Sequence, residues 1–246
     1  MVKKIVGTGV LLVLALALQA GVKMYTLKSP DGKVKLEVTA GQGIAYSLFY
    51  DGRLLLKPSR IALHTDLPEA DHWENIRITG TKQRHVSETV QAPFYRVKEF
   101  GIDCNELELR LNNGFLLLMR AYNDGMAYRF VAGRKGEMTV VEERAEFNFA
   151  DDFEAYIPYS TNPKDPWNMA FQNFYTKAPL TQYNTELPAF LPLTVDAGAV
   201  KLTLLESDLE AYPGMFVCGD GKTPALKGVF AAYPQETFKN KWRCQE

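Results

Sequence analysis

The sequence predicts an all-β, antiparallel sandwich, and three observations carry that prediction. Rings are abundant, with 14 Phe, 12 Tyr and 3 Trp among 246 residues, and aromatic side chains suit the pleated, half-buried surface of a sheet. Short runs alternate apolar and polar residues with a period of two, which is the repeat of a strand and not of a helix. Between those runs stand Gly, Pro, Asn and Asp, the residues that tight turns require.

The elements follow in order. Residues 24–27 alternate, Ser29-Pro30-Asp31-Gly32-Lys33 turns the chain, and 34–38 alternates strictly, so the two runs form a hairpin. A strand over 44–50 closes at Asp51-Gly52 and returns over 53–56. Strands are read at 95–100 and 106–111. Asn113-Gly114 then leads into 115–120, and Asp124-Gly125 leads into 126–131. Runs at 139–149, 202–205 and 228–232 complete a set of about a dozen to sixteen short strands, as in a large sandwich. Residues 160–179 break the pattern: they are rich in Asn, Pro and rings and read as a long ordered loop, a kind of segment that is often functional. No repeat or linker interrupts the chain, so one domain is expected over 24–246.

Net charge is −1 and the pI near 6.3. A nucleic-acid binder's basic footprint is missing, as is a polybasic membrane segment. Met1-Val2-Lys3-Lys4, the apolar run 10–18 and Gln19-Ala20-Gly21 predict a signal peptide over 1–20. That run is far short of the ~20 residues that span a bilayer, and no Cys near the cut supplies a lipid anchor. An exported, periplasmic protein without a membrane anchor is expected. Cys104, Cys218 and Cys244 are an odd number, so in an oxidising compartment at least one lacks a partner within the chain. Cys104 and Cys218 read as buried thiols.

Candidate chemistry is sparse. Glu142 and Glu143 are strand neighbours that point to opposite faces, so they cannot act as an opposed pair. Asp151-Asp152 reads as a solvated turn. Glu206 follows an apolar strand and either projects from the sheet edge or caps the turn at Ser207-Asp208. Glu186, before Leu187-Pro188, is within reach of the neighbouring loop. His64, His72 and His85 show no ligand spacing. Gly41-Gln42-Gly43 is a plain turn, because Tyr46 stands where a dinucleotide fingerprint needs its third glycine. In the long loop, Trp167, Phe171, Phe174 and Tyr175 can stack on the apolar faces of sugars, while Asn168, Gln172 and Asn173 can bond hydroxyls. The same rings can instead plug the loop onto its own sheet or onto a further domain. Asn123-Asp124-Gly125 is a tight hairpin turn, flanked by Arg120 and Arg129, which can fork onto a carboxylate.

Four ordered segments resemble the N-terminal domain of glycoside hydrolase family 97. They are Leu27-Lys28-Ser29-Pro30-Asp31-Gly32 with Tyr46-Ser47-Leu48-Phe49-Tyr50-Asp51-Gly52; Arg120-Ala121-Tyr122-Asn123-Asp124-Gly125-Met126-Ala127-Tyr128-Arg129-Phe130; Leu205-Glu206-Ser207-Asp208-Leu209 with Tyr212-Pro213-Gly214-Met215; and Gly228-Val229-Phe230-Ala231. The resemblance implies an antiparallel, galactose mutarotase-like β-super-sandwich over 24–246. It also implies that a catalytic (β/α)8 barrel follows, in an α-glucosidase or α-galactosidase acting on α-linked oligosaccharides. Such a barrel needs about 250 residues, and strands already fill this chain. The catalytic acids are therefore expected outside it, and the chain alone is expected to be inactive. The sandwich would wall the active site, with Trp167, Asn168, Tyr175, Glu186 and Glu206 as the residues expected near substrate. In calcium-dependent members this domain offers one carboxylate to Ca²⁺. The matching position here is Gln172, whose amide oxygen can coordinate but brings no charge. A stand-alone carbohydrate-binding module and a mutarotase-like epimerase are the alternatives. The chain ends near Cys244 without a closing strand, which leaves a polar tail and a truncated reading frame both open.

Overall fold

The computed structural model describes residues 23–133, 135–168, 170–209, 212–232, 238–239 and 244–245. The expected leader lies outside them. Strands are the dominant element of the described residues, and every strand pair is antiparallel. The fold is the predicted antiparallel β-sandwich. Where the sequence suggested one run from 24 to 246, the strands divide between Ala145 and Glu146 into two compact units.

In the first unit, β1 (Lys23–Lys28), β2 (Val34–Gly41), β3 (Gly43–Tyr50) and β4 (Arg53–Thr65) pair in chain order. The first part of β9 (Val140–Asn148) then pairs with β4. A second sheet takes β5 (Ile78–Gln91), β6 (Glu99–Leu111), β7 (Phe115–Tyr122) and β8 (Gly125–Ala132), also in order. The period-two pattern decides which face is buried. Val34, Leu36, Val38 and Ala40 of β2 point inward, as do Phe115, Leu117, Met119 and Ala121 of β7. β1 and β2 lie against β6 and β7, so the two inner faces form one core.

Rings close one end of that core. Trp73, on a single 3₁₀ turn (Trp73–Asn75), meets Phe130 edge-on at 5.3 Å, and Phe130 meets Tyr128 at 6.2 Å. The buried indole N–H donates to the Leu63 carbonyl at 3.0 Å, which satisfies the one polar group of that ring.

The turns follow their chemistry. Asp51 and Gly52 both hold positive φ, 48° and 78°, the two-residue geometry that matches strand twist. In the β1–β2 turn the Ser29 hydroxyl donates to Asp31 Oδ1 at 2.6 Å and the Lys33 amide donates to the same oxygen at 3.0 Å. The Ser29 hydroxyl bond, with the Lys33 amide behind it, holds the Asp31 carboxyl below its ordinary range. The Asp31 amide donates across to Asn123 Oδ1 at 3.0 Å, so Asn123 stitches its own β7–β8 turn to the first hairpin.

Two strand readings are corrected. Residues 95–100 are mostly the tip of the β5–β6 hairpin, and β6 begins only at Glu99. The whole of β5 was missed, because nearly all its side chains are exposed and no apolar alternation marks it. Thirteen rungs to β6 set its register instead.

In the second unit, the last residues of β9 pair with β15 (Ala225–Phe230), and β15 pairs with β14 (Met215–Gly219). A second sheet runs in the order β11 (Thr176–Pro179), β10 (Glu154–Ile157), β12 (Leu193–Asp196), β13 (Lys201–Leu204). Phe149, Ala155, Ile157, Leu193, Val195 and Val217 fill the unit's interior.

Candidate functional site

The predicted loop is present and ordered through its described residues, with a 3₁₀ turn (Pro166–Asn168) at its middle and β11 at its end. Two isolated bridges bring distant chain segments beside it: Ala189 pairs with Tyr159 on one side and with Val217 on the other. The buried Ser160 hydroxyl donates to the Pro166 carbonyl at 3.2 Å and its amide donates to the Pro188 carbonyl at 2.8 Å. The neighbours of Ala189 and Val217 in sequence, Phe190 and Phe216, are thereby set side by side.

The result is a ribbon of five rings. Trp167 meets Phe216 at 5.0 Å, edge to face, and Phe216 meets Phe190 at 4.8 Å. Phe190 meets Phe171 at 5.8 Å, and Phe171 meets Tyr175 at 5.0 Å. These spacings and tilts are those of favourable aromatic pairs. The three central rings are partly covered, while the terminal ones stay open, with Trp167 39% and Tyr175 48% exposed. Phe174, beside Tyr175, is 93% exposed.

The sequence-predicted residues separate in space. Trp167 and Tyr175 form the two ends of the ribbon. Gln172 lies between them in sequence and is exposed. Asn168 closes the 3₁₀ turn, and its side chain lies outside the described ones. Glu186 is exposed on the turn after Tyr183, with its amide donating to Asn184 Oδ1 at 3.1 Å. Phe190 and Phe216 were missed, because each sits in an apolar run that reads as core.

Glu206 does not cap the turn that follows it. Both its carboxylate oxygens accept the Met215 amide, at 2.8 and 2.9 Å, so it closes the 206–214 loop and pins the start of β14, one residue before Phe216. Burial pushes its carboxyl above the ordinary range, and the Met215 amide only partly offsets this. A raised folded-state value means that its favourable contribution is complete below the unfolded value of 4.5. That contribution is lost as pH rises through the folded value. Glu206→Gln keeps the acceptor and removes the charge. Its stability relative to wild type should therefore improve between about pH 4 and about pH 7, as read by urea melts at both.

The other carboxylates and histidines do not converge. His64 Nδ1 lies 2.7 Å from Asp71 Oδ1, and His85 faces Asn105 and Asp103. Glu154 pairs with Lys177 at 2.7 Å on the open face of the β10–β11 pair. Among the described residues no group of three His, Cys, Asp or Glu is placed to hold a metal ion.

Comparison with known proteins agrees with this architecture. A retaining alpha-galactosidase of Bacteroides thetaiotaomicron is 39% identical over 231 residues, covering 91% of this chain and 34% of its own length. A probable retaining alpha-galactosidase of Streptomyces bingchenggensis is 26% identical over 158 residues, 63% of this chain and 24% of its own. Among solved structures, a glycoside hydrolase family 97 enzyme of Pseudoalteromonas sp. strain K8, in complex with acarbose, superposes with a TM-score of 0.69 at 18% identity. It covers 84% of this chain and 32% of the other. A beta-arabinopyranosidase superposes with a TM-score of 0.72 at 20% identity, over 85% and 35%. This chain thus spans about a third of the length of the first of these relatives. The family described as Glycosyl-hydrolase 97 N-terminal matches residues 27–245, and the chain belongs to it.

Proposed function

We propose that this chain is the sugar-side scaffold of an exported α-glycosidase, an α-galactosidase or α-glucosidase whose (β/α)8 catalytic domain lies in other polypeptide. The ribbon that ends in Trp167 and Tyr175 carries this reading. A row of rings left open at both ends suits either the apolar faces of α-linked sugars or the wall of a neighbouring domain that holds them. The 39% identity to a retaining alpha-galactosidase supports the substrate class. The leader-like N-terminus supports export to the periplasm. The catalytic carboxylate pair of a glycosidase stands about 5–9.5 Å apart across the sugar, and the carboxylates described above are tied to backbone, Lys or His instead.

The test is direct: the purified chain should release nothing from aryl α-galactosides or aryl α-glucosides. Turnover sensitive to substitution in this chain would overturn the scaffold reading.

The exposed ends of the ribbon favour a second reading, a self-sufficient carbohydrate-binding module. Under it, galacto- or malto-oligosaccharides give binding heat that Trp167→Ala abolishes. An epimerase reading needs an acid and a base in one cleft, and the histidine pairs do not provide that arrangement.

Calcium belongs to this proposal only through Gln172. One exposed, neutral amide oxygen does not make a site for a cation that takes 6–8 oxygen ligands, and among the described residues no cluster of acidic groups is placed to complete it. A chelator should leave the chain's melting temperature unchanged, since removing an ion that does not bind the folded chain cannot change its stability.

A further inference from the structure

Strand β5 reaches past the strand it faces. β1 lies against β6 and β7, while β5 is the outer edge of the second sheet. Directly paired strand residues share a face, so Gln83 and His85 lie on the inward side with their partners Leu107 and Asn105. Leu107 is buried in the core, whereas Gln83 and His85 are exposed. Every second residue shares that side, which gives Thr81, Gln83, His85, Ser87, Thr89 and Gln91 in a row. All are polar, and His85 alone among them can carry a charge. The charged residues of β5, Lys82, Arg84 and Glu88, fall on the opposite face.

Where this row overhangs β1 a cleft of about 450 Å³ opens, lined by residues 26–28 of β1 and by 83–85 and Asn105 opposite. That volume is within the range of small-ligand sites. The polar groups in it are held in place. Gln83 Nε2 donates to the Thr26 carbonyl at 3.0 Å, and Asn105 Nδ2 donates to the Lys28 carbonyl at 2.9 Å. Asn105 Oδ1 lies 3.1 Å from His85 Nδ1, and His85 Nε2 lies 3.2 Å from Asp103 Oδ1. These contacts narrow the choice of occupant. A peptide strand added to β1 would find the Thr26 and Lys28 carbonyls already bonded to side chains. Arg84 is tied to Glu106 and His85 to Asp103, so an anion would meet Lys28, a single exposed charge worth little in water. What the cleft and its row offer is hydroxyls and amides, able both to donate and to accept, repeated every ~7 Å along the strand. The hydroxyls of a neutral saccharide do both as well, and a linear one presents them at regular intervals.

We infer that the cleft between β1 and the β5–β6 overhang is a second saccharide site, in the first unit and separate from the ring ribbon, for neutral oligosaccharides. The sugar-directed reading of the chain enters through the choice of probes, raffinose and maltotriose. No ring lines the cleft, so binding should be weak, half-saturating at about 1–10 mM and silent in calorimetry at micromolar concentrations. Nuclear magnetic resonance of the isotope-labelled full chain reads it, with Trp167→Ala and Tyr175→Ala removing the ends of the ribbon. The side-chain amide of Gln83 and the backbone amides of Thr26, Lys28 and His85 should shift as either sugar is added. His85→Leu should raise the half-saturating concentration about tenfold, and His85→Gln, which keeps a donor and an acceptor at this exposed position, should stay within about threefold. The inference is overturned by no shift up to about 50 mM sugar, by shifts that His85→Leu leaves unchanged, or by a stronger response to sodium sulfate than to either sugar. A ribbon that binds nothing leaves these shifts in place, so the two sites fail separately.

Discussion

Glu106→Ala should lower the unfolding free energy by about 2–3 kcal/mol, the scale of breaking a buried, hydrogen-bonded charge cluster whose partners are partly wet. Glu106 sits on β6 with 4% exposure, flanked in register by Arg84 of β5 and Arg120 of β7. Arg84 Nε donates to one carboxylate oxygen at 2.7 Å and Arg120 Nε to the other at 2.8 Å. One side chain thus ties three adjacent strands. Burial alone would raise its carboxyl, but the hydrogen bonds and charges of the two guanidinium groups outweigh that and hold it low. Tyr122 and then Glu106 in turn hold Arg120 well above its ordinary value. A depressed folded-state value gives stability that is present above the unfolded value of 4.5. It disappears as pH falls through the folded value. The gap between wild type and Glu106→Ala should accordingly be widest near neutral pH and close in acid. Urea unfolding followed at several pH values measures it, and a gap independent of pH would contradict the account.

Gly219→Ala should cost a similar amount, about 1–3 kcal/mol, by overpacking. A Cβ at that position would stand 2.8 Å from Cγ of Tyr183 and 2.9 Å from its Cβ, closer than carbon atoms approach without something moving. The ring cannot yield easily. It stacks edge-on against Tyr159 at 5.0 Å, and its single hydroxyl proton is shared between the carbonyls of Leu187, at 3.0 Å, and Val217, at 2.7 Å. Burial pushes the Tyr183 phenol far above its ordinary range, which favours the protonated, donating form. The strain must pass into β14, which carries Phe216, and the near-UV circular dichroism of the ribbon should change with it. In a Tyr183→Ala background the same glycine substitution should cost clearly less, a coupling that a double-mutant cycle isolates. Equal costs in both backgrounds would place the clash elsewhere.

Legibility in the sequence followed one-sided burial. β2, β3 and β7 face core on one side and solvent on the other, so their alternation is plain and their bounds were close. β5 has almost no buried side chain, and only its partner strand fixes it; single-chain periodicity cannot reveal that. The ribbon was half visible. Trp167 and Tyr175 stood out because rings in a polar loop need a reason, whereas Phe190 and Phe216 hid in apolar runs. Only the Ala189 bridges set them beside the loop. Glu206 was read as projecting from the sheet edge or capping Ser207-Asp208, whereas its carboxylate accepts an amide nine residues on, a contact no local rule predicts.

The ribbon's rings come from three stretches far apart in the chain: the long loop, the segment at Phe190 and strand β14. None of the three can build the row by itself, so the row exists only when the second unit is folded throughout. With Trp73 and Trp242 replaced by Phe, the red shift of Trp167 emission should therefore come in one step along with that unit's backbone signal. A protease that nicks between Phe190 and Phe216 should erase the platform as soon as the two pieces separate.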